Sequence, residues 1–229
     1  MIFLLGEDAV VDPETVTELK KELGLDKPIH IQFLNYFLDV IQLDFGYSYH
    51  LRKSVFNIIL SRIPWTLGLL LFSIILGAVL GIYSGALAGW KSHKSMSRIL
   101  TQLNILFFSA PPFFMAILIM AVFAIQLNLF PIKGLYQSGT FMDIVQHHIL
   151  PVAVLTLITF ARNFIIMRGC ILQEKNKPYV IYAKAKGVSG KKLLFKHVMK
   201  NAILPVISLL ALDFGFLFSG ALFVEIVFS

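Results

Sequence analysis

The chain has 229 residues, of which 57% are hydrophobic and only 14% charged, and its mean hydropathy is +0.79. Its net charge of +7 is uneven: residues 173–200 carry eight Lys against one Glu, while residues 1–62 carry six basic and nine acidic groups. That distribution is a membrane-topology signal and argues against a nucleic-acid surface, and the single Cys170 excludes an intramolecular disulfide and a metal–thiolate set.

Residues 1–62 are expected as an extracytoplasmic segment with short helices. Asp12 suits the cap of a helix beginning at Pro13, with Glu14 and Glu18 toward its positive end and Gly24 past its end. Pro28 suits the opening of a second helix with Phe33, Phe37, Leu38 and Ile41 on one side. This segment either packs on the spans or offers a docking surface. Met1–Leu5 is apolar but far too short for a signal peptide.

Residues 63–229 are expected as a membrane domain with four spans, at about 63–90, 99–128, 149–171 and 201–224, since a bilayer core needs roughly 20 apolar residues. Pro64 is placed in the first turn of the first span, where its missing N–H costs little. Gly77, Gly81, Gly85 and Gly89 recur every fourth residue on one face, a pattern that favours close helix packing over a gating hinge. Arg162 and Arg168 interrupt the third span and Asp213 the fourth. Ionisable groups inside a span are costly and mark function. Asp213 is therefore a candidate for the translocation pathway or for pairing with a polar group on another helix; Arg168 is placed to snorkel toward the headgroups, and Arg162 either snorkels likewise or serves function inside the span.

Charge bias orients the spans. Loop 91–98 holds Lys91, Lys94 and Arg98, and loop 173–200 holds eight Lys, whereas loop 133–148 has only Lys133. The first two loops are expected in the cytoplasm. The longer of them reads as two helical patterns broken at Gly187, the first opened by Pro178 and the second capped by Ser189. An ordinary positive-inside loop is the alternative.

Catalytic readings fail on spacing. The run Gly187-Val188-Ser189-Gly190-Lys191-Lys192 lacks the first glycine and the Ser/Thr of a phosphate loop, so ATP chemistry is not expected here. Ser84-Gly85 with His147 or His148 lacks a protease elbow, and the adjacent histidines point about 100° apart on a helix.

The residues Tyr179, Val180, Ala183, Ala185, Lys186, Gly187, His197, Asn201, Ala202 and Pro205 closely resemble the cytoplasmic coupling motif of ABC-importer permeases, in the form used by the dipeptide, oligopeptide and nickel branch. Lys177 and Pro178 stand where that branch usually has acidic residues, and Ile181 replaces the motif's leading Glu. Gly46-Tyr47-Ser48, Arg62-x-Pro64-x-Thr66 and His148 before Leu150-Pro151 also resemble family signatures, the last as a cap or interface residue at the start of a span.

The resemblance implies an all-α, polytopic membrane protein with the type I importer permease fold, seated in the cell membrane of a prokaryote. It implies the middle four spans of a six-span permease, without the first and last helices. Implied partners are a second permease, two cytoplasmic ATPase subunits, an extracytoplasmic substrate-binding protein and membrane lipid. No cofactor and no enzymatic activity in this chain are implied. Tyr179, Ala183, Ala185, Lys186 and Gly187 would couple the spans to the ATPases. Peptides are the first-choice cargo, nickel or a metal chelate the second. An ion-coupled secondary transporter is the competing class, for which Asp213 alone speaks.

Overall fold

A computed structural model describes residues 24–132 and 140–228, apart from the side chains at 141, 213, 214, 216–221 and 223. The helix expected from Pro13 lies outside the described residues. The chain divides into two compact units, Met1–Trp65 and Thr66–Ser229.

In the first unit, helix α1 spans Ile29–Ile41 with Pro28 at its N-cap, and no residue of it is buried. The Gln32 amide donates back to the carbonyls of Leu25 and Lys27, which closes the preceding turn. Phe33 and Phe37, one turn apart, stack with centroids 6.3 Å apart. A two-stranded antiparallel hairpin follows, β1 (Tyr47–Ser48) pairing with β2 (Lys53–Ser54). Gly46 enters it at φ +75, its N–H bonded to Asp44 Oδ1 at 3.0 Å.

Helix α2, Val55–Trp90, runs across the division between the units. Its 36 residues are about 54 Å long at the usual rise, well beyond a hydrocarbon core. It begins eight residues before the expected span, so Pro64 lies inside the helix and not in its first turn. The reason is that Arg62 ends the apolar run but not the helical backbone. Pro64 then removes the bond to the Leu60 carbonyl.

In the second unit, residues 99–128, expected as one span, are two helices meeting at 105°: α3 (Ser95–Ser109) and the apolar segment Pro112–Gln126. That segment is α4 (Pro112–Met120) continued by a π-helical stretch, Ala121–Gln126. The break follows from Pro111-Pro112. Ala110, ahead of a proline, is driven to ψ 134, and Pro112 restarts the helix at its first position.

Helix α5, Phe141–Glu174, starts eight residues before the expected third span and carries Pro151 in its interior. His148 is accordingly neither at a helix start nor a cap. Its Nδ1 sits 2.7 Å from the Ile144 carbonyl, one turn back. Helix α6 spans Pro178–Ala185. Helix α7, Gly190–Ala202, has a π-helical middle at Leu193–Val198 and meets α8, Leu204–Phe228, at a 50° bend near Pro205. Among the described residues, two helices, Val55–Trp90 and Met142–Glu174, are each long and apolar enough to cross a membrane, and up to four crossings result if each bent pair counts as one.

The glycine stripe sets how α2 meets α5. A Cβ at Gly77, Gly81, Gly85 or Gly89 would lie 2.7, 2.6, 2.5 and 2.8 Å from atoms of Thr159, Phe160, Phe164 and Ile171. Only a residue without a side chain permits that approach. The second unit holds two apolar clusters. One gathers Leu70, Ile74, Ala116, Leu150, Val154 and Val224. The other gathers Ala86, Met167, Ile171, Val180, Leu193 and Val206, where α2, α5, α6, α7 and α8 meet.

Candidate coupling site

The second cluster positions α6. Its eight residues are too few to be stable alone, so their order comes from two anchors. Val180 and Ala183, three apart on one face, are buried among Met167, Ile171, Leu193, Leu194, Val198 and Ala202. At the other end, Tyr179 is half-buried and its hydroxyl donates to Glu174 Oε2 at 2.6 Å. The Lys177 ammonium donates to the second oxygen of the same carboxylate. The end of α5 and the start of α6 are thereby tied through one carboxylate.

These contacts leave electrostatic marks. Burial, and then the bond to Glu174, push the Tyr179 phenol above its usual value. The hydrogen bond to Glu174 holds the Lys177 ammonium above the ordinary lysine range.

The C-terminus of α6 is closed by a Schellman motif. Val188 N–H bonds the Ala183 carbonyl at 3.3 Å and Gly187 N–H the Lys184 carbonyl at 3.0 Å, with Gly187 at φ +81. A Cβ at Gly187 would meet no atom within 4 Å, so the need for glycine there is conformational and not steric. Ser189 does stand at the N-cap of α7, but its side chain makes no capping hydrogen bond.

Opposite the anchors, α6 presents Ile181 (61% exposed) and Tyr182 (64% exposed), together with exposed Ala185 and Lys186. Lys186 Nζ lies 4.6 Å from the Tyr182 ring centroid. Of the residues expected to couple, Tyr179 and Ala183 therefore face inward, while Ala185, Lys186 and Gly187 stand on the open side. Glu174 is the residue that sequence reasoning missed. Its signal was available, since it is the only acidic residue in 173–200. It reaches Tyr179 from five positions upstream because Lys175–Lys177 turn the chain back.

Asp213 belongs to α8, and its side chain lies outside the described residues. Arg168 is half-buried on α5, and its Nε is sealed from solvent. Ser84, the protease candidate, donates to the Leu80 carbonyl at 2.6 Å within its own helix.

The short helix α6 thus presents an exposed apolar and cationic face while its other edge packs against the ends of long apolar helices. Residues 77–229 match the family described as binding-protein-dependent transport system inner membrane component, and residues 5–70 match its N-terminal counterpart. The chain belongs to this family. It is an inner-membrane permease subunit of a binding-protein-dependent ABC importer, and its all-α fold with long apolar helices agrees with that assignment. The chain is 30% identical to the di/tripeptide transport system permease protein DppB of Pseudomonas aeruginosa, over 99% of this chain and 73% of that one. It is 33% identical to the glutathione transport system permease protein GsiC of Salmonella choleraesuis, over 95% of this chain and 69% of that one. A probable peptide ABC transporter permease protein, y4tP of Sinorhizobium fredii, is 30% identical over all of this chain and 77% of its own length.

Proposed function

We propose that this permease forms half of a translocation pathway for peptides and that α6 is the helix through which ATPase subunits move it. The names of the three relatives support a peptide cargo, being those of di/tripeptide, glutathione and peptide systems. A second permease of similar fold supplies the other half, two cytoplasmic ATPase subunits hydrolyse the nucleotide, and an extracytoplasmic protein delivers the peptide. In this reading α2, the bent pair α3–α4, α5 and the bent pair α7–α8 each cross the bilayer once, with 91–98 and 173–200 in the cytoplasm and 1–62 outside.

The observation that carries the reading is the division of α6 into a buried edge, Val180 and Ala183, and an open edge, Ile181, Tyr182, Ala185 and Lys186. The open edge fits a complementary groove on an ATPase. The buried edge passes displacement to α2, α5 and α8 through close-packed side chains, which transmit strain because interiors have few voids. ATP binding then biases one of two packings of the helices, which is all that alternating access requires of the motor. Asp213 in α8 is a candidate to face the pathway.

The test is ATP-driven peptide uptake by the full complex in proteoliposomes. Gly187→Val is expected to insert and assemble but to lose uptake while ATP hydrolysis persists. Wild-type uptake by that variant would refute the coupling role.

A further inference from the structure

A groove of about 330 Å³ lies along α6 between its buried Val180 and its exposed Ile181, lined also by Trp90, Lys175, Asn176, Lys184 and Val188. Among the described residues, neither Lys175 nor Lys184 has a carboxylate partner. Lys175 Nζ donates to Ser92 Oγ at 2.9 Å, a contact that orients the ammonium without neutralising it. Glu174, the only acid in 173–200, is already engaged by Lys177 and Tyr179. Two uncompensated cations thus share one concavity with an indole and two valines.

We propose that this groove binds the phosphate of an anionic ligand, the headgroup of an acidic phospholipid or a free phosphate. The inference rests on the reading of 173–200 as a cytoplasmic loop, which puts the groove on the inner-leaflet side of the membrane. Several features match a headgroup. Trp90 is the last residue of a long apolar helix, where an interfacial tryptophan is favoured. The inner leaflet is negative, and basic pockets between helices on that side hold acidic headgroups. Val180 and Val188 supply an apolar wall for the glycerol region. A phosphate there would bridge Lys175, at the end of α5, to Lys184 on α6, and would stiffen the docking helix against the spans.

The test uses the purified intact complex with its partner subunits, delipidated and titrated with dioleoyl-phosphatidylglycerol or dioleoyl-phosphatidylcholine, bound lipid being counted by native mass spectrometry. One tightly held phosphatidylglycerol is expected. Its affinity should fall about fivefold in Lys175→Gln or Lys184→Gln and roughly twenty-five-fold in the double variant, while the double Lys→Arg variant retains it. Displacement by millimolar inorganic phosphate identifies free phosphate as a ligand of the site, and resistance to it identifies the lipid. Both results support a phosphate site. Equal binding in wild type and the double Gln variant would overturn the inference. So would equal affinity for the neutral lipid, or an ATPase segment that cross-links into the groove and excludes lipid. In a Cys170→Ser background, a cysteine at 191 labelled only from the cytoplasm leaves the coupling reading standing whatever the lipid count. Labelling from outside removes that reading first.

Discussion

Gly187 concentrates the chemistry of this site at a single backbone angle. At φ +81, with open space around the missing Cβ, a substitution pays for handedness and not for volume. A β-branched residue should cost about 1–2 kcal/mol, while Asn, which tolerates the left-handed region, should cost far less. Uptake by Gly187→Asn is therefore expected to exceed uptake by Gly187→Val, and equal loss in both would mean that the angle is not what matters. The neighbouring phenol makes a second residue-scale prediction. Tyr179→Phe removes a hydrogen bond to a carboxylate and should lower stability by about 1 kcal/mol. In a double-mutant cycle with Glu174→Gln, read by thermal unfolding of the detergent-solubilised complex, the two losses should be less than additive. Strict additivity would remove the tie between α5 and α6. Pro178, the helix after it and the glycine past its end were all legible in the sequence, because each is a local preference. The Glu174–Tyr179 bond was not. It depends on how three intervening residues turn.

At the scale of elements, the glycine stripe gives an internal control. A methyl at Gly85 would press to 2.5 Å from the Phe164 carbonyl oxygen, whereas one at Gly68, on the same helix, would meet nothing within 4 Å. Gly85→Ala should destabilise by roughly 1–3 kcal/mol as overpacking does. Gly68→Ala should be neutral or stabilising by up to about 1 kcal/mol, since alanine loses less backbone entropy in a helix. Thermal melts of the two variants decide it, and similar values would dissolve the α2–α5 contact. The stripe was readable from its period of four, but the helix ends were not. Arg62 and the loop before residue 149 were read as boundaries, yet α2 and α5 extend through Pro64 and Pro151, because a charge or a proline changes polarity or bonding without ending a long helix held by its neighbours. At Ala110 the reverse holds. Apolarity runs on while Pro111-Pro112 turns the chain by 105°, a signal that hydropathy alone ignores.

For the whole molecule, membrane class and family were legible because both are written in many residues at once: long apolar runs, one basic loop and a dispersed motif. The role of Asp213 was not, since a single carboxylate deep in an apolar run has no partner that sequence can name. Orientation makes the prediction that belongs to this scale. With Cys170→Ser as background, cysteines at 94 and 191 are expected to react only from the cytoplasm and one at 138 only from outside, and opposite sides for 94 and 191 would break the four-crossing arrangement.

The central claim is that the open edge of α6 is where the motor acts. Tyr182 is 64% exposed there. A Tyr182→Cys, Cys170→Ser permease, assembled with its partners and treated with a short thiol cross-linker, should join to an ATPase subunit, and the yield should change when ATP is bound. Cross-linking to the extracytoplasmic binding protein instead, or none to either ATPase in a complex that still transports, would contradict the account.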